Sequence, residues 1–409
     1  MVMQAMLADS EIPFHDLDDV LIDVGDRMQL DSEVLSAMSE TDVIDHIILP
    51  LPEDCLNDEI PFIEGLKLEK EMEQDLRTDL WQLALEFHDV FGNPPTFGLE
   101  KESPIPPMVI KTKPDWSPPP VRAYRTYGPA PTAAMRKELQ NQLDCGYIEV
   151  SGDTRPSFPH MVRKPESDSG YRFTVDYREK NEGILFEPYP LPLVADILRK
   201  FSITPSGRPF KYFGRLDLRN GYWQFPLHPD SRWITSFVVD RKVYQYRVVA
   251  QGLVCSAAHV QASMERILDS LLLKPVWVYL DDICFAAESS EEFLELTRQI
   301  LLVLRINGLK CKPSKCMLGV RSITILGHEV SRTGLRMSRS RISAVMDIPM
   351  PRNVKDLRSF LGMVNYMRDY IPNVSVLMHP LLSLVNVPLK EWPLDTLTKG
   401  FLSTKESCQ

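Results

Sequence analysis

Two adjacent aspartates, Asp281 and Asp282, lie between short apolar runs in Val276-Trp-Val-Tyr-Leu-Asp-Asp-Ile-Cys-Phe285. A third, Asp217, closes a similar run in Arg215-Leu-Asp-Leu-Arg-Asn-Gly-Tyr222. Neighbouring carboxylates repel each other and each costs desolvation when buried, so an apolar hairpin gains no stability from them. A polar turn is the plainer alternative, because aspartate is common in turns. The chemical alternative is a hard divalent cation: Mg²⁺ prefers carboxylate oxygens and keeps positions open for phosphates. If the two apolar runs are neighbouring strands, Asp217, Asp281 and Asp282 would hold two ions about 3.5–4 Å apart. One ion would activate a 3′-hydroxyl and the other would steady leaving pyrophosphate, with Mn²⁺ able to take the same place. Phosphoryl transfer of this kind asks the protein for positioning and electrostatics, with no covalent intermediate.

The elements that must position these carboxylates can be read from periodicity. Alternation predicts strands at 171–177, 215–218, 236–239, 276–279 and 283–287, the last two joined by Leu280-Asp-Asp282. Helices are expected at 133–145, closed by Gly146, and after Ser256, which can act as its cap. A capping-box pattern at Ser289 and Glu292 precedes a helix stopped near Gly308, and a last helix spans 354–370. Strands and helices alternate without a strict βαβα rhythm, so the fold class is α+β, helices on a modest antiparallel sheet.

The chain has 409 residues, 44% apolar and 25% charged, enough for two to four structural units. Seven cysteines without framework spacing point to reduced, intracellular thiols. A signal peptide and a membrane span are not expected, since no basic flank precedes an apolar run and no run reaches 18 apolar residues. The net charge of −10 hides an asymmetry. Residues 1–100 hold 25 acidic and 4 basic residues, while 101–409 hold 31 acidic and 42 basic, so the larger part is a basic protein. The first segment, 1–104, reads as an acidic, partly disordered spacer with a helix near 69–91, followed by a proline-rich bridge through Pro118-Pro-Pro120.

Tyr279-Leu-Asp-Asp282 resembles the YxDD box of reverse transcriptases. The surrounding chain, from about Val109 to Leu384, is similar to the polymerase domain of gypsy-type LTR retrotransposon Pol polyproteins. Six motifs in the family's order carry the resemblance: Val175-Asp-Tyr-Arg178, Tyr189-Pro-Leu-Pro192, Leu216-Asp-Leu-Arg-Asn-Gly-Tyr222, Val278-Tyr-Leu-Asp-Asp282, Leu326-Gly-His328 and Phe360-Leu-Gly362. The resemblance implies a right-hand polymerase, with fingers and palm over about 105–325, a primer grip and thumb over 326–384, and a tail at 385–409 that departs from the usual run toward RNase H. It implies an excised piece of a polyprotein, working on an RNA or DNA template with a primer and dNTPs, in the cytoplasm or a virus-like particle.

Residue by residue, the resemblance makes Asp217, Asp281 and Asp282 the catalytic metal ligands, joined by the backbone carbonyl of Leu218. Tyr222 matches the aromatic beneath the deoxyribose, whose ring would clash with a 2′-hydroxyl; a core tyrosine is the alternative. Arg172 and the nearby Lys164, or Arg163, match the triphosphate contacts, a role that suits a fixed guanidinium. Gln251 and Gly252 match the segment packed on the nucleotide, although the gypsy pattern has phenylalanine where Gln251 stands. Leu326, Gly327 and His328 match the primer grip, and the thumb region is basic through Arg332, Arg336, Arg339, Arg341, Arg352, Lys355 and Arg358. RNA-dependent RNA polymerases share the paired aspartates but generally carry aspartate where Tyr222 stands. A retroelement remnant that at most binds nucleic acid is the rival to an active enzyme. Cys311 and Cys316 lack the second ligand pair of a zinc site, and Asp168-Ser-Gly170 reads as a turn rather than a protease triplet.

Overall fold

A computed structural model of the chain describes residues 65–68, 72–92, 104–118, 126–164, 170–192, 194–202, 207–387 and 392–407. Most of the acidic segment, parts of the proline-rich bridge and the residues Asp168 and Ser169 lie outside the described residues. The strands are β1 (Lys67–Leu68), β2 (Ile148–Val150), β3 (Phe158–Arg163), β4 (Tyr171–Asp176), β5 (Tyr212–Asp217), β6 (Phe237–Val239), β7 (Lys242–Tyr246), β8 (Val276–Tyr279), β9 (Asp282–Ala287), β10 (Met317–Val320), β11 (Ser322–Ile325), β12 (His328–Ser331) and β13 (Gly334–Met337). The helices used below are α1 (Gln74–Glu86), α2 (Pro129–Asp144), α3 (Arg178–Asn181), α4 (Val194–Ser202), α5 (Ser256–Ile267), α6 (Ser290–Ile306), α7 (Arg339–Met346), α8 (Val354–Tyr366), α9 (Val374–Leu384) and α10 (Leu394–Glu406). The chain divides into two units: Met1–Pro192, Gly214–Phe285 and Ser290–Gly319, then Leu193–Phe213, Ala286–Ser289 and Val320–Gln409.

The first unit is built on a five-stranded sheet in the order β1-β10-β5-β9-β8. β8 and β9 pair antiparallel from Val276 with Phe285 to Tyr279 with Asp282, leaving Leu280-Asp281 as a two-residue turn. α6 buries Phe293, Leu296, Ile300, Leu301 and Leu304, the three-and-four spacing of a helix with one apolar face. Phe293 stacks on Phe285 of the sheet at 5.3 Å between ring centroids. A second sheet, β2-β7-β6, and the antiparallel hairpin β3-β4 form the rest, with α2 packed on β2 and β4. Ser256 is the first residue of α5 and does not cap it; its hydroxyl donates to the carbonyl of Ala250 at 2.6 Å, where the turn before the helix satisfies it better than a helix N–H.

The helix expected near 69–91 is α1, and it packs on the body of the first unit. Leu76, Leu80 and Leu83 are buried, α1 packs on α6, and β1 adds in parallel to β10 at the edge of the sheet. Two acidic residues of this segment meet arginines of α6: Glu86 holds Arg298 at 2.7 Å, and Asp89 pairs with Arg305, which also lies 4.0 Å over the Phe87 ring. Folded structure thus begins well before residue 104, because the leucine spacing gives α1 a face to bury and the two carboxylates match cations already on α6.

In the second unit β11, β12 and β13 form an antiparallel sheet against which α4 packs. α7 to α10 share a core of Leu357, Phe360, Leu361, Val364, Leu381, Leu384 and Phe401. The last helix predicted from the sequence is α8 followed by a short 3-10 turn, Arg368–Tyr370. Residues of the expected tail form α10, whose Phe401 ring lies 4.6 Å from that of Phe360. Among the described residues no helix is long and apolar enough to cross a membrane.

Leu80 is fully buried between α1 and the body, so Leu80→Ala should lower unfolding stability by about 2–5 kcal/mol. Urea unfolding of the full chain measures it, and a loss under half a kcal/mol would return α1 to the status of an accessory helix.

Candidate active site

The three aspartates converge where β5 ends and the β8–β9 turn begins. The N–H of Leu218 donates to the carbonyl of Asp281 at 2.9 Å, which fixes the end of β5 beside the turn. Gly221 lies against the same aspartate: a Cβ there would sit 2.5 Å from the Asp281 Cβ, so any side chain at 221 would displace the carboxylate. Leu280, first in the turn, has φ 55°, a left-handed conformation that costs a non-glycine residue about 1–2 kcal/mol. Tyr222 follows in a 3-10 turn, half-buried, and burial, then Asp281 and Tyr279, push its phenol up.

Each aspartate has its own electrostatic setting. Asp217 is almost fully buried, and Lys315 donates to both of its oxygens at 3.0 Å. Asp282 accepts from the Arg215 guanidinium through both oxygens at 2.8 Å. Burial, with the charge of Asp282 and then Asp217, raises the Asp281 carboxyl above its ordinary value. Asp282 is also raised, by burial first and by Asp217, even though Arg215 pulls the other way. The guanidinium itself is raised: burial opposes its charge and Asp282 outweighs that. Among the described residues two cations, Arg215 and Lys315, meet the three carboxylates that share this space.

Neither cation was picked out from the sequence. Arg215 had a signal, since alternation along β5 puts it on the same face as Asp217. Lys315 had none: it comes from a 3-10 turn, Pro313–Lys315, brought alongside when the N–H of Lys312 donates to the Asp217 carbonyl at 2.8 Å. Leu218 forms an isolated bridge with Cys311. Cys311 and Cys316 are both buried free thiols.

As a donor set, three neighbouring carboxylates suit a hard divalent cation. Among the described residues, however, no three His, Cys, Asp or Glu side chains form a preassembled cage, and Asp217 and Asp282 are held by cations of the chain itself.

Two other expected residues meet. Arg172, on β4 opposite Val162, donates to Gln251 Oε1 at 3.1 Å. Lys164 lies just beyond β3, where its N–H donates to the Gly170 carbonyl at 2.9 Å. The loop at 251–254 is held from both sides by Asn181 of α3, which donates to the Gly252 carbonyl at 3.0 Å and accepts from the Val254 N–H at 2.9 Å. Asn181 was not singled out, although an asparagine closing a four-residue helix is a natural loop clamp. Of the Val175-Asp-Tyr-Arg178 motif, Tyr177 is a core residue donating to the Thr235 carbonyl at 2.8 Å, and Arg178 pairs with Asp176.

The residues expected to grip a primer belong to the second unit. Leu326 and Gly327, both at positive φ, form the two-residue turn between β11 and β12. A Cβ at Gly327 would lie 2.7 Å from Arg341 Nε. Tyr366 donates to the Leu326 carbonyl at 2.6 Å, and the His328 ring lies between the hydroxyls of Tyr370, 2.8 Å from Nδ1, and Tyr366, 3.1 Å from Nε2. Burial and then Arg341 lower this imidazole. His328 is thus a tie between hairpin and helix α8. Arg332, Arg336, Arg339, Arg341, Arg352, Lys355 and Arg358 are all exposed.

A sheet carrying two carboxylate-bearing strands, a fingers-like β3-β4 hairpin and a helical unit headed by a tight hairpin define a right-hand polymerase fold. Comparison with known proteins gives the family. Residues 162–330 match the model of the reverse transcriptase (RNA-dependent DNA polymerase) family. The retrovirus-related Pol polyprotein from transposon 297 of Drosophila melanogaster is 31% identical over 275 residues, 66% of this chain and 25% of that protein. The transposon Tf2-3 polyprotein of Schizosaccharomyces pombe is 28% identical over 287 residues, 70% of this chain and 21% of that one. The chain therefore carries a reverse transcriptase domain of the LTR-retrotransposon Pol kind, and spans about a quarter of the length of the curated relatives it matches. The foamy viral protease-reverse transcriptase in complex with double-stranded DNA shares the fold at TM-score 0.72 and 22% identity, over 90% of this chain and 64% of that one. In complex with an RNA/DNA hybrid it gives 0.71 at 22% identity, over 91% and 49%.

Because Asp281 is raised, its charge costs the fold stability above the ordinary value of 3.8, and the cost vanishes below it, where folded and unfolded chains are both protonated. Asp281→Asn should therefore raise the thermal unfolding midpoint in metal-free buffer at pH 8, and by progressively less as the pH falls toward 3.8. A lower midpoint at pH 8 would show that the carboxylate is instead well satisfied.

Proposed function

We propose that this chain is an RNA-directed DNA polymerase that adds dNTPs to a primer 3′-end by Mg²⁺-dependent phosphoryl transfer, as part of retrotransposon replication. The observation that carries the reading is the convergence of Asp217, Asp281 and Asp282 on one end of a sheet, where two cations among the described residues, Lys315 and Arg215, face three carboxylates. Asp217, Asp281 and Asp282, with the Leu218 carbonyl, would hold two divalent cations. Bound there, the ions would supply the charge that activates the 3′-hydroxyl and steadies the leaving pyrophosphate. Lys315 and Arg215 would hold the carboxylates in place until then.

The remaining residues position substrate. Arg172, oriented by Gln251, offers a guanidinium for the triphosphate, and Lys164 adds a second cation from the same end of that hairpin. Tyr222, next to Gly221 and so to Asp281, would lie beneath the sugar and exclude a 2′-hydroxyl by steric clash. The Leu326-Gly327-His328 turn would grip the primer, and the exposed arginines and lysines of the second unit would follow the duplex backbone in a sequence-independent, salt-sensitive manner. Template with primer and dNTPs are thus the partners, and an intracellular setting suits them.

Primer extension on an RNA template tests the reading. The full chain should incorporate dNTPs with Mg²⁺ or Mn²⁺, and Asp217→Asn should reduce the rate by at least about a hundredfold. Salt-dependent template binding without any incorporation would make the chain a remnant that binds nucleic acid. In the active chain, Tyr222→Ala should admit rNTPs at least about tenfold better relative to dNTPs. Unchanged preference would remove the tyrosine from that role.

A further inference from the structure

Gln261 is a wholly buried amide on α5, in a row with Val260 and Met264, where an apolar side chain would be expected. Its two ends grasp the backbone of the aspartate hairpin. Nε2 donates to the Val278 carbonyl at 3.0 Å, and Oε1 accepts from the Leu280 N–H at 2.7 Å. Leu280 is the turn residue held at φ 55°, and Asp281 is its neighbour. A side-chain amide is suited to this task because it presents one donor and one acceptor a fixed distance apart.

The amide is itself oriented. Gln261 Nε2 also donates to Glu265 Oε1 at 2.6 Å, one turn along the helix. The other oxygen of Glu265 accepts from the hydroxyl of Tyr189, the first residue of Tyr189-Pro-Leu-Pro192. A carboxylate can only accept, so Glu265 fixes which end of the Gln261 amide is the nitrogen, and with it which end faces Leu280. All four residues lie in the first unit.

We propose that Tyr189, Glu265 and Gln261 form a hydrogen-bonded relay that holds Leu280 in its left-handed conformation and thereby sets the position of Asp281 for phosphoryl transfer. None of the three touches the carboxylates; they are positioning residues, and the relay gives the Tyr189-Pro-Leu-Pro192 motif a role. The proposal rests on the polymerase reading above, and its tests have a readout independent of activity.

Gln261→Met keeps the volume and removes every hydrogen bond. It should speed amide exchange across residues 276–285, measured by hydrogen–deuterium exchange, and lower kcat for primer extension by about ten- to a hundredfold, with KM for dNTP within about twofold. Leu280→Gly accepts a positive φ without strain, so in that background the same Gln261→Met change should cost several-fold less in kcat and in protection. Tyr189→Phe, which removes one hydroxyl at the outer end of the relay, should move exchange and kcat in the same direction by a smaller factor, and serves if Gln261→Met does not fold. Unchanged exchange at 276–285 in the folded variants, or an equal loss with leucine or glycine at 280, would overturn the relay. Absence of primer extension by the unaltered chain would overturn the polymerase reading instead, and the exchange data would still decide the relay.

Discussion

Three carboxylates share one end of the five-stranded sheet and, among the described residues, two cations answer them. That imbalance is the constraint around which the first unit is arranged. Arg215 reaches Asp282 along the strand that carries Asp217, and Lys315 reaches Asp217 from a separate turn. Burial raises the carboxyls of Asp281 and Asp282 in spite of these contacts. Apolar side chains would avoid this cost, and it is the cost that the proposed metal-binding role would explain.

The backbone around the carboxylates is correspondingly over-determined. A glycine at 221 admits the Asp281 side chain, an N–H from Leu218 ties the turn to β5, and a buried glutamine holds the turn from beneath. The second unit repeats the device at another hairpin. There Leu326 and Gly327 turn tightly, a tyrosine hydroxyl holds the Leu326 carbonyl, and His328 is tied to two tyrosines. In both places a leucine sits in a left-handed conformation that its own chemistry does not favour, and a polar side chain from a helix satisfies the turn's backbone.

The parts legible in the sequence are those governed by spacing. Alternation around Val276 to Tyr279 located β8 to the residue, and the carboxylate pair and Asp217 fell together once the two strands were neighbours. The apolar face of α6 was equally plain. What escaped were contacts made by single polar residues across long separations. Lys315 lies 98 positions from Asp217, and Gln261 lies 19 from Leu280. Nothing in leucine's chemistry announces positive φ at 280, as a glycine or asparagine would have done. Ser256 misled for the opposite reason: its type suits a cap, but a nearby carbonyl claimed its hydroxyl.

The segment at 65–92 carries none of the polymerase motifs, yet β1 extends the edge of the sheet beyond β10 and α1 covers α6. An uncovered sheet edge is a template for pairing with another chain. The unit of recognisable kinship and the unit that folds are therefore different lengths of the same chain. A domain cut where its familiar motifs begin would keep all three aspartates and lose the strand that pairs with β10.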